Sequence, residues 1–471
     1  MKARYAWSWL LMALPLWAQN DMQANVNLQF RFDNPGARAR AMGGAFTGLA
    51  DDTTALFANP AGLTLLKSTT AALELGHNKQ DNRIPFFGGQ IERTGLQDFR
   101  FDLEERDFPG STSSIPFAGY VNAKSALKWG FFYAELANFD RGFETEAVTI
   151  PPYTGQTYTI NSPLFFFSPG THSVSLSLRS LGFSLAGKLG EKVALGITLA
   201  ANQLSYDANT TLLIPDLEAL FPDINFNPAQ IAALRPFIGQ PSAIIDAQTS
   251  SWEPAIYAGI LFTPSPRFSL GLAYRYQPAF GYDHASQASG GFEDGFELQP
   301  PETGSADFNI PDSFGIGFSF KPSEVFLISA DVIRVFYSDL SSDYHSFFEN
   351  ANDPAQHTQT VGDTTEYHLG SEYFFVGGKY PIALRAGYWF EPYHGLKNTN
   401  LDTQTLFAFV NSQGDFVQDF RPNAFLQRFE RNQNHLTFGL GVSMGRHLVL
   451  DLAGDFAEEA ETFSLSSIYR F

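Results

Sequence analysis

From Thr69 onward, segments in which apolar and polar residues alternate are joined by connectors that are very short and very long in turn. Fourteen such segments run near 69–78, 114–122, 126–146, 173–188, 193–213, 251–263, 268–278, 307–320, 325–337, 364–376, 382–391, 433–444, 447–456 and 461–471. The tight connectors 123–125, 189–192, 264–267, 321–324, 376–381 and 445–446 each join an even strand to the next odd one. The long ones, among them 79–113, 214–250, 279–306, 338–363 and 392–432, follow odd strands. An even-numbered antiparallel meander with all its tight turns at one end is the pattern of an up-and-down outer-membrane barrel, with short turns in the periplasm and long loops outside. Beyond the first residues no apolar run approaches the roughly 18 residues of a membrane helix, so a spanning architecture for this chain must be a barrel.

Period-2 patterning agrees. Phe268, Leu270, Leu272, Tyr274 and Tyr276 share one face and Ser269, Gly271, Ala273, Arg275 and Gln277 the other. Leu436, Phe438, Leu440, Val442 and Met444 alternate in the same way with His435, Thr437, Gly439, Gly441 and Ser443. A soluble sandwich would alternate too, so the period alone does not choose between lipid and a core. The last strand adds weight, because Phe463, Leu465, Tyr469 and the terminal Phe471 fall on one face. Tyr469 and Phe471 resemble the C-terminal signal by which barrel assembly machinery recognises its clients. In the fourth strand Val174, Leu176 and Leu178 lie on one parity and Leu181, Phe183 and Leu185 on the other, which predicts a β-bulge near Arg179 and Ser180. In the third, Trp129, Phe131 and Tyr133 oppose Phe132 and Leu136, which predicts an apolar lumen or a local departure from regular pairing.

Composition narrows the setting. Lys2 and Arg4, the apolar stretch Trp7 to Trp17 and Ala18 form the three-part layout of a secretory signal over residues 1–18. The chain has no cysteine, hence neither disulfides nor a thiolate metal site. With 30 basic and 49 acidic residues it is unsuited to nucleic acid, and aromatic residues at 15% match the girdles of a membrane barrel. No linker separates domains. The expected division is a signal over 1–18, an N-terminal segment over 19–67 and a barrel over 68–471, in a protein that works as a monomer in outer-membrane lipid.

Residues 34–63 lack the strand period. Asp51-Asp52, the alanines to Ala58 and the break at Asn59-Pro60 predict a short helix, and Gly43, Gly44, Ala45 and Gly48 permit close backbone packing. In Gly43-Gly44-Ala45-Phe46, Ala50-Asp51-Asp52 and Asn59-Pro60-Ala61-Gly62-Leu63 the chain resembles the family of outer-membrane long-chain fatty acid transporters, FadL/TodX-like barrels that include hydrocarbon-uptake channels. Ile310-Pro311-Asp312-Ser313, Leu384-Arg385-Ala386-Gly387-Tyr388 and the strand count extend the likeness over the mature chain. The resemblance implies a fourteen-stranded barrel in the outer membrane of a Gram-negative-type bacterium. It also implies an N-terminal hatch plugging the lumen, with Gly43, Gly44, Asn59, Pro60 and Ala61 as hatch or gating residues, and passive uptake of fatty-acid-like hydrophobic molecules. Met42-Gly43-Gly44-Ala45-Phe46 and Ala50-Asp51-Asp52 also resemble a branch of barrels that serve as scaffold or shuttle in protein secretion, which leaves that function as the alternative.

A lipid-like solute needs a capture surface, and loop 214–250 offers one. Leu217, Leu220 and Phe221 follow helical spacing, and Asn227-Pro228 opens a second helix with Ile231, Leu234 and Ile238 until Pro236 interferes. Together they make a groove for an acyl chain or pack the loop onto the barrel rim. Arg275, Arg385 and Phe132 are lumen candidates; the arginines would meet either a substrate carboxylate or lumen acids such as Asp331 and Glu372. Gly441-Val442-Ser443-Met444-Gly445 has nucleophile-elbow spacing but runs into a hairpin, where that chemistry cannot form, and no paired histidines suggest zinc. The chain is expected to be neither an enzyme nor a cofactor or metal protein. A general porin would need an open polar lumen, which a hatch denies.

Overall fold

The computed structural model describes residues 34–87, 92–93, 99–100, 103–149, 166–220, 228–289, 296–341, 359–394, 396–398 and 431–471; the expected signal and residues 19–33 lie outside them. The wall is a closed antiparallel ring of fourteen strands. They are β1 Thr70–Phe87, β2 Leu103–Asn122, β3 Lys128–Thr145, β4 Gly170–Leu189, β5 Val193–Leu213 and β6 Pro241–Ser265. β7 runs Phe268–Tyr276 and resumes as Ala279–Ala288, and β8 runs Glu302–Asn309 and resumes as Ser313–Ser323. β9 Phe326–Val335, β10 Thr364–Phe375, β11 Ile382–Glu391, β12 Gln433–Met444, β13 Leu448–Phe456 and β14 Ala460–Arg470 complete it, β14 pairing back onto β1. The interruptions in β7 and β8 fall at Pro278 and Pro311, where a missing N–H cannot feed the ladder.

Every sequence-derived strand is present, and the corrections concern length and phase. Parts of the long connectors are strand: 79–87, 103–113, 241–250, 279–288 and 302–306 extend the wall outward. β5 is 21 residues long, whereas an apolar band about 25 Å tall is crossed by roughly 10 tilted residues. The outer half of such strands has water outside, so it shows no lipid-facing stripe to the sequence reader.

The bulge expected at Arg179 and Ser180 is not in β4, which keeps unbroken register with β5 from Gly170↔Leu212 to Leu189↔Val193. Even-numbered residues of β4 face inward throughout. Leu181 and Phe183 are outward in the lipid belt, while Val174, Leu176 and Leu178 are buried inside the lumen higher up. The apolar parity switches because the strand leaves lipid for water just as the interior turns apolar. The irregularity belongs to β3, where Leu136 is an extra residue between Glu135↔Arg179 and Ala137↔Leu178. Phe132, Ala134 and Leu136 face inward, so both alternatives raised for β3 hold.

Elsewhere the belt is as the period requires: Leu436 and Phe438 are exposed on the outer face, and His435 and Thr437 are buried within. Phe463, Leu465, Tyr469 and Phe471 all point outward.

Candidate functional site

Residues 34–66 lie inside the ring, nearly all of them buried. The segment forms α1 Ala37–Ala41, a run of turns, α2 Ala55–Ala58 and a 3-10 turn over Pro60–Leu65. The helix expected from Asp51-Asp52 starts later than its acids suggest, because the Asp52 carboxylate accepts from the Thr54 N–H and hydroxyl and fixes a turn first. Asn59 is extended, with φ −158°, and caps the 3-10 turn by accepting the Ala61 N–H. Its side-chain amide donates to the Thr47 carbonyl at 2.9 Å and the Ile260 carbonyl at 3.2 Å, so one residue joins two arms of the segment to β6. Gly43 and Gly44 have φ +63° and +76°, which only glycine adopts at little cost.

Close approach to the wall is allowed by inward-facing glycines. A Cβ at Gly196, Gly259, Gly271, Gly317, Gly370 or Gly387 would overlap the Thr47–Ala61 or Met42–Gly43 stretch. The sequence did carry this signal, as a glycine at the inward phase of one strand after another.

Ionic contacts complete the docking. Arg38 grips Glu372 of β10 through two bonds of 2.9 and 2.8 Å and reaches Asp51 at 2.5 Å. Arg385 of β11 meets the same Glu372 at 2.5 Å and Asp451 of β13 at 2.7 Å. Asp331 of β9 accepts the Phe46 and Thr47 N–H groups at 2.8 and 2.7 Å. Arg275 does not meet Asp331. It donates to the Asn34 side chain at 2.7 Å and stacks on the Phe57 ring at 4.4 Å. Arg385 thus takes lumen acids and Arg275 takes the N-terminal segment.

Above the segment the interior is apolar. Phe57 meets Phe132 edge-on at 6.0 Å and Tyr257 at 5.6 Å, and Phe117, Leu176, Leu204 and Tyr206 continue the lining. Near the outer end of the ring, α3 Leu217–Leu220 and α4 Pro228–Leu234 form where the spacing placed helices. Leu217, Ile231 and Leu234 are buried, Leu220 and Ile238 half-buried, and Phe221 lies outside the described residues.

The wall itself has an opening. β2 and β3 pair only from Phe117↔Ala134 to Asn122↔Trp129. Above that level β2 carries two residues, Ile115 and Pro116, opposite the single Leu75 of β1, and β3 carries its extra Leu136. The two irregularities face each other, and Pro116 has no N–H to donate. The strands approach again at Gly110, where an added Cβ would lie 3.9 Å from the Asp140 carbonyl. Between these levels sits a cavity of about 130 Å³ lined by Pro116, Leu136 and Phe139 and by polar His77, Ser114 and Asn138. Pro35 and Arg40 of the N-terminal segment form its inner side. Among the described residues no group of His, Asp and Glu is arranged to hold a metal ion.

Residues 31–401 match the family model described as outer membrane protein transport protein (OMPP1/FadL/TodX). The chain belongs to this family. Its members are outer-membrane channels of Gram-negative bacteria that transport hydrophobic compounds. The Ralstonia pickettii toluene transporter TbuX is 16% identical with a TM-score of 0.54, over 94% of this chain and 100% of that one. A Pseudomonas aeruginosa FadL homologue is 15% identical with a TM-score of 0.57, over 93% of this chain and 98% of that one. At such identities these family structures speak for the fold. No curated protein matches the chain.

Proposed function

We propose that this channel passes hydrophobic molecules with a polar end, long-chain fatty acids in the first place, by passive diffusion through the side of the barrel. In this reading Leu217, Leu220, Ile231, Leu234 and Ile238 receive the chain at the outer rim, the aromatic interior around Phe132 conducts it, and residues 34–66 act as a hatch that blocks the straight path. The observation that carries the reading is the unpaired stretch of the β2–β3 seam, which lies beside the apolar interior and above the docked segment. The polar lining, which holds Arg40, His77, Ser114, Asn138 and the Glu135 carboxylate that Asn138 bonds, supports a substrate with a hydrogen-bonding end over a bare hydrocarbon.

Deleting Leu136 removes the extra residue and lets β3 pair in one register. In liposomes loaded with a fatty-acid sensor, that variant is expected to lose at least tenfold in oleate uptake while its barrel still resists detergent unfolding. Unchanged uptake by a folded variant would put the exit elsewhere and refute the side route.

A further inference from the structure

A second cavity, of about 760 Å³, opens at the end of the ring that bears the short turns, on the opposite side of the N-terminal segment from the apolar lumen. Its charge runs against that of the chain. The whole protein has 30 basic and 49 acidic residues, yet Lys67, Lys192, Arg267, Lys321 and Arg470 converge here against Asp51, Asp52 and Glu191. Two of those acids are already engaged, because Asp51 and Asp52 both pair with Arg38 from outside the cavity. Lys321 lies 3.9 Å from Asp51, and the other four cations make no ion pair among the described residues.

The cations come from separate places in the fold: the tail of the hatch segment, the β4–β5 turn, the β6–β7 turn, the end of β8 and the end of β14. Behind them the walls are apolar, formed by Leu49, Leu65, Leu66 and Ile468. A single exposed lysine or arginine attracts an anion weakly, but several around one concave surface with a low-dielectric wall focus their field. The volume is that of ordinary small-molecule sites.

We propose that this vestibule binds a single-chain alkyl carboxylate from the periplasmic side. The carboxylate lies among Lys192, Arg267 and Lys321, and the chain lies on Leu49, Leu65 and Leu66. The site does not require passage through the lumen, so it stands apart from the transport route proposed above. A carboxylate at Lys321 also competes with Asp51, the partner that Lys321 shares with Arg38.

The absence of cysteine gives a clean test, since Ser265→Cys on the cavity wall places one fluorescent label there. The full-length protein in zwitterionic nanodiscs is titrated with nitroxide-bearing laurate and with the matching nitroxide lauryl alcohol. Saturable quenching by the laurate is expected at concentrations at least tenfold below those for the alcohol. The Lys192→Glu/Arg267→Glu variant, altered only in exposed turns, should raise the laurate concentration needed at least tenfold. Equal quenching by acid and alcohol, or no effect of the charge reversal, would overturn the proposal. Displacement of laurate by equimolar inorganic phosphate would overturn it as well, because the site would then read charge and ignore the chain.

Discussion

Arg38→Met tests how the N-terminal segment is held. The guanidinium makes two parallel bonds to Glu372, whose side chain is 0% exposed, and a third to Asp51. Breaking a buried ion pair from one side costs about 3–5 kcal/mol when the remaining charge is stranded. Here Glu372 keeps Arg385 and Asp51 keeps Lys321, so about 2–3 kcal/mol is the fair figure. At about 1.4 kcal/mol per factor of ten, local opening of the segment should become roughly 30- to 150-fold more frequent. Hydrogen exchange reads this directly at the Gly43, Phe46 and Thr47 amides, which bond Thr437 and Asp331 of the wall. The paired variant Arg38→Met/Glu372→Met should lose less than the sum of the two single changes, since Arg385 retains Asp451. If Arg38→Met leaves those amides within about threefold of the parent while β-strand amides stay protected, the ion network does not hold the segment. Close packing on the inward glycines would then be the anchor.

Two further outcomes follow from the outer parts of the ring. Leu234→Asp places a carboxylate where a 1% exposed leucine packs, and should weaken capture of a fluorescent fatty acid at least tenfold with an unchanged barrel; equal capture would mean that the loop only seals the rim. At the outer end of β4, beyond the lipid belt, burial pushes the His172 imidazole down to about 4, stacked on Phe143 at 4.6 Å. The unfolded chain therefore takes up a proton first, and the stability this group supports is whole above about pH 6.5 and drains away as pH falls toward 4, by about 3 kcal/mol at most. Exchange at the Val174 amide should quicken across that window and His172→Phe should flatten the response; a flat profile in the parent protein would refute the assignment.

The barrel was legible because lipid imposes a period of two and because tight turns collect at one end. The sequence blurred wherever the two sides of a strand stopped contrasting as lipid against water. In β4 the switch from Phe183 outward to Leu178 inward looked like a slipped register, yet it marks the height at which the lumen becomes apolar. Residues 241–250 of β6 looked like loop because they stand above the lipid belt. Within the N-terminal segment, Asn59-Pro60 announced a break that the structure places at the 3-10 turn. The helix Ala37–Ala41 gave no warning, being too short for any period to repeat. Arg275 and Arg385 share the same inward phase, and only the fold tells them apart: Glu372 and Asp451 flank one, while Asn34 and Phe57 meet the other.

The opening between β2 and β3 sharpens the case for a side route because such a feature is costly where it stands. At about 3.3 Å per residue and a tilt near 40°, Leu136 lies about 20 Å above Lys128 at the start of β3, within a belt about 25 Å tall. Backbone groups left unpaired at that depth cost several kcal/mol each, which is why lipid-exposed edges are otherwise absent from such walls. Part of the cost is offset locally. Pro116 has no N–H to strand, and Arg40 and Ser114 give the interior side a polar character. A register error would have been removed by deleting one residue on either strand. Instead β2 and β3 each carry an extra residue at the same height, and the two displacements open one cavity against the apolar lumen. In the proposed side route, residues 34–66 stay docked on strand after strand below the cavity, an apolar chain leaves outward into lipid, and a polar end meets hydrogen-bonding partners on the way.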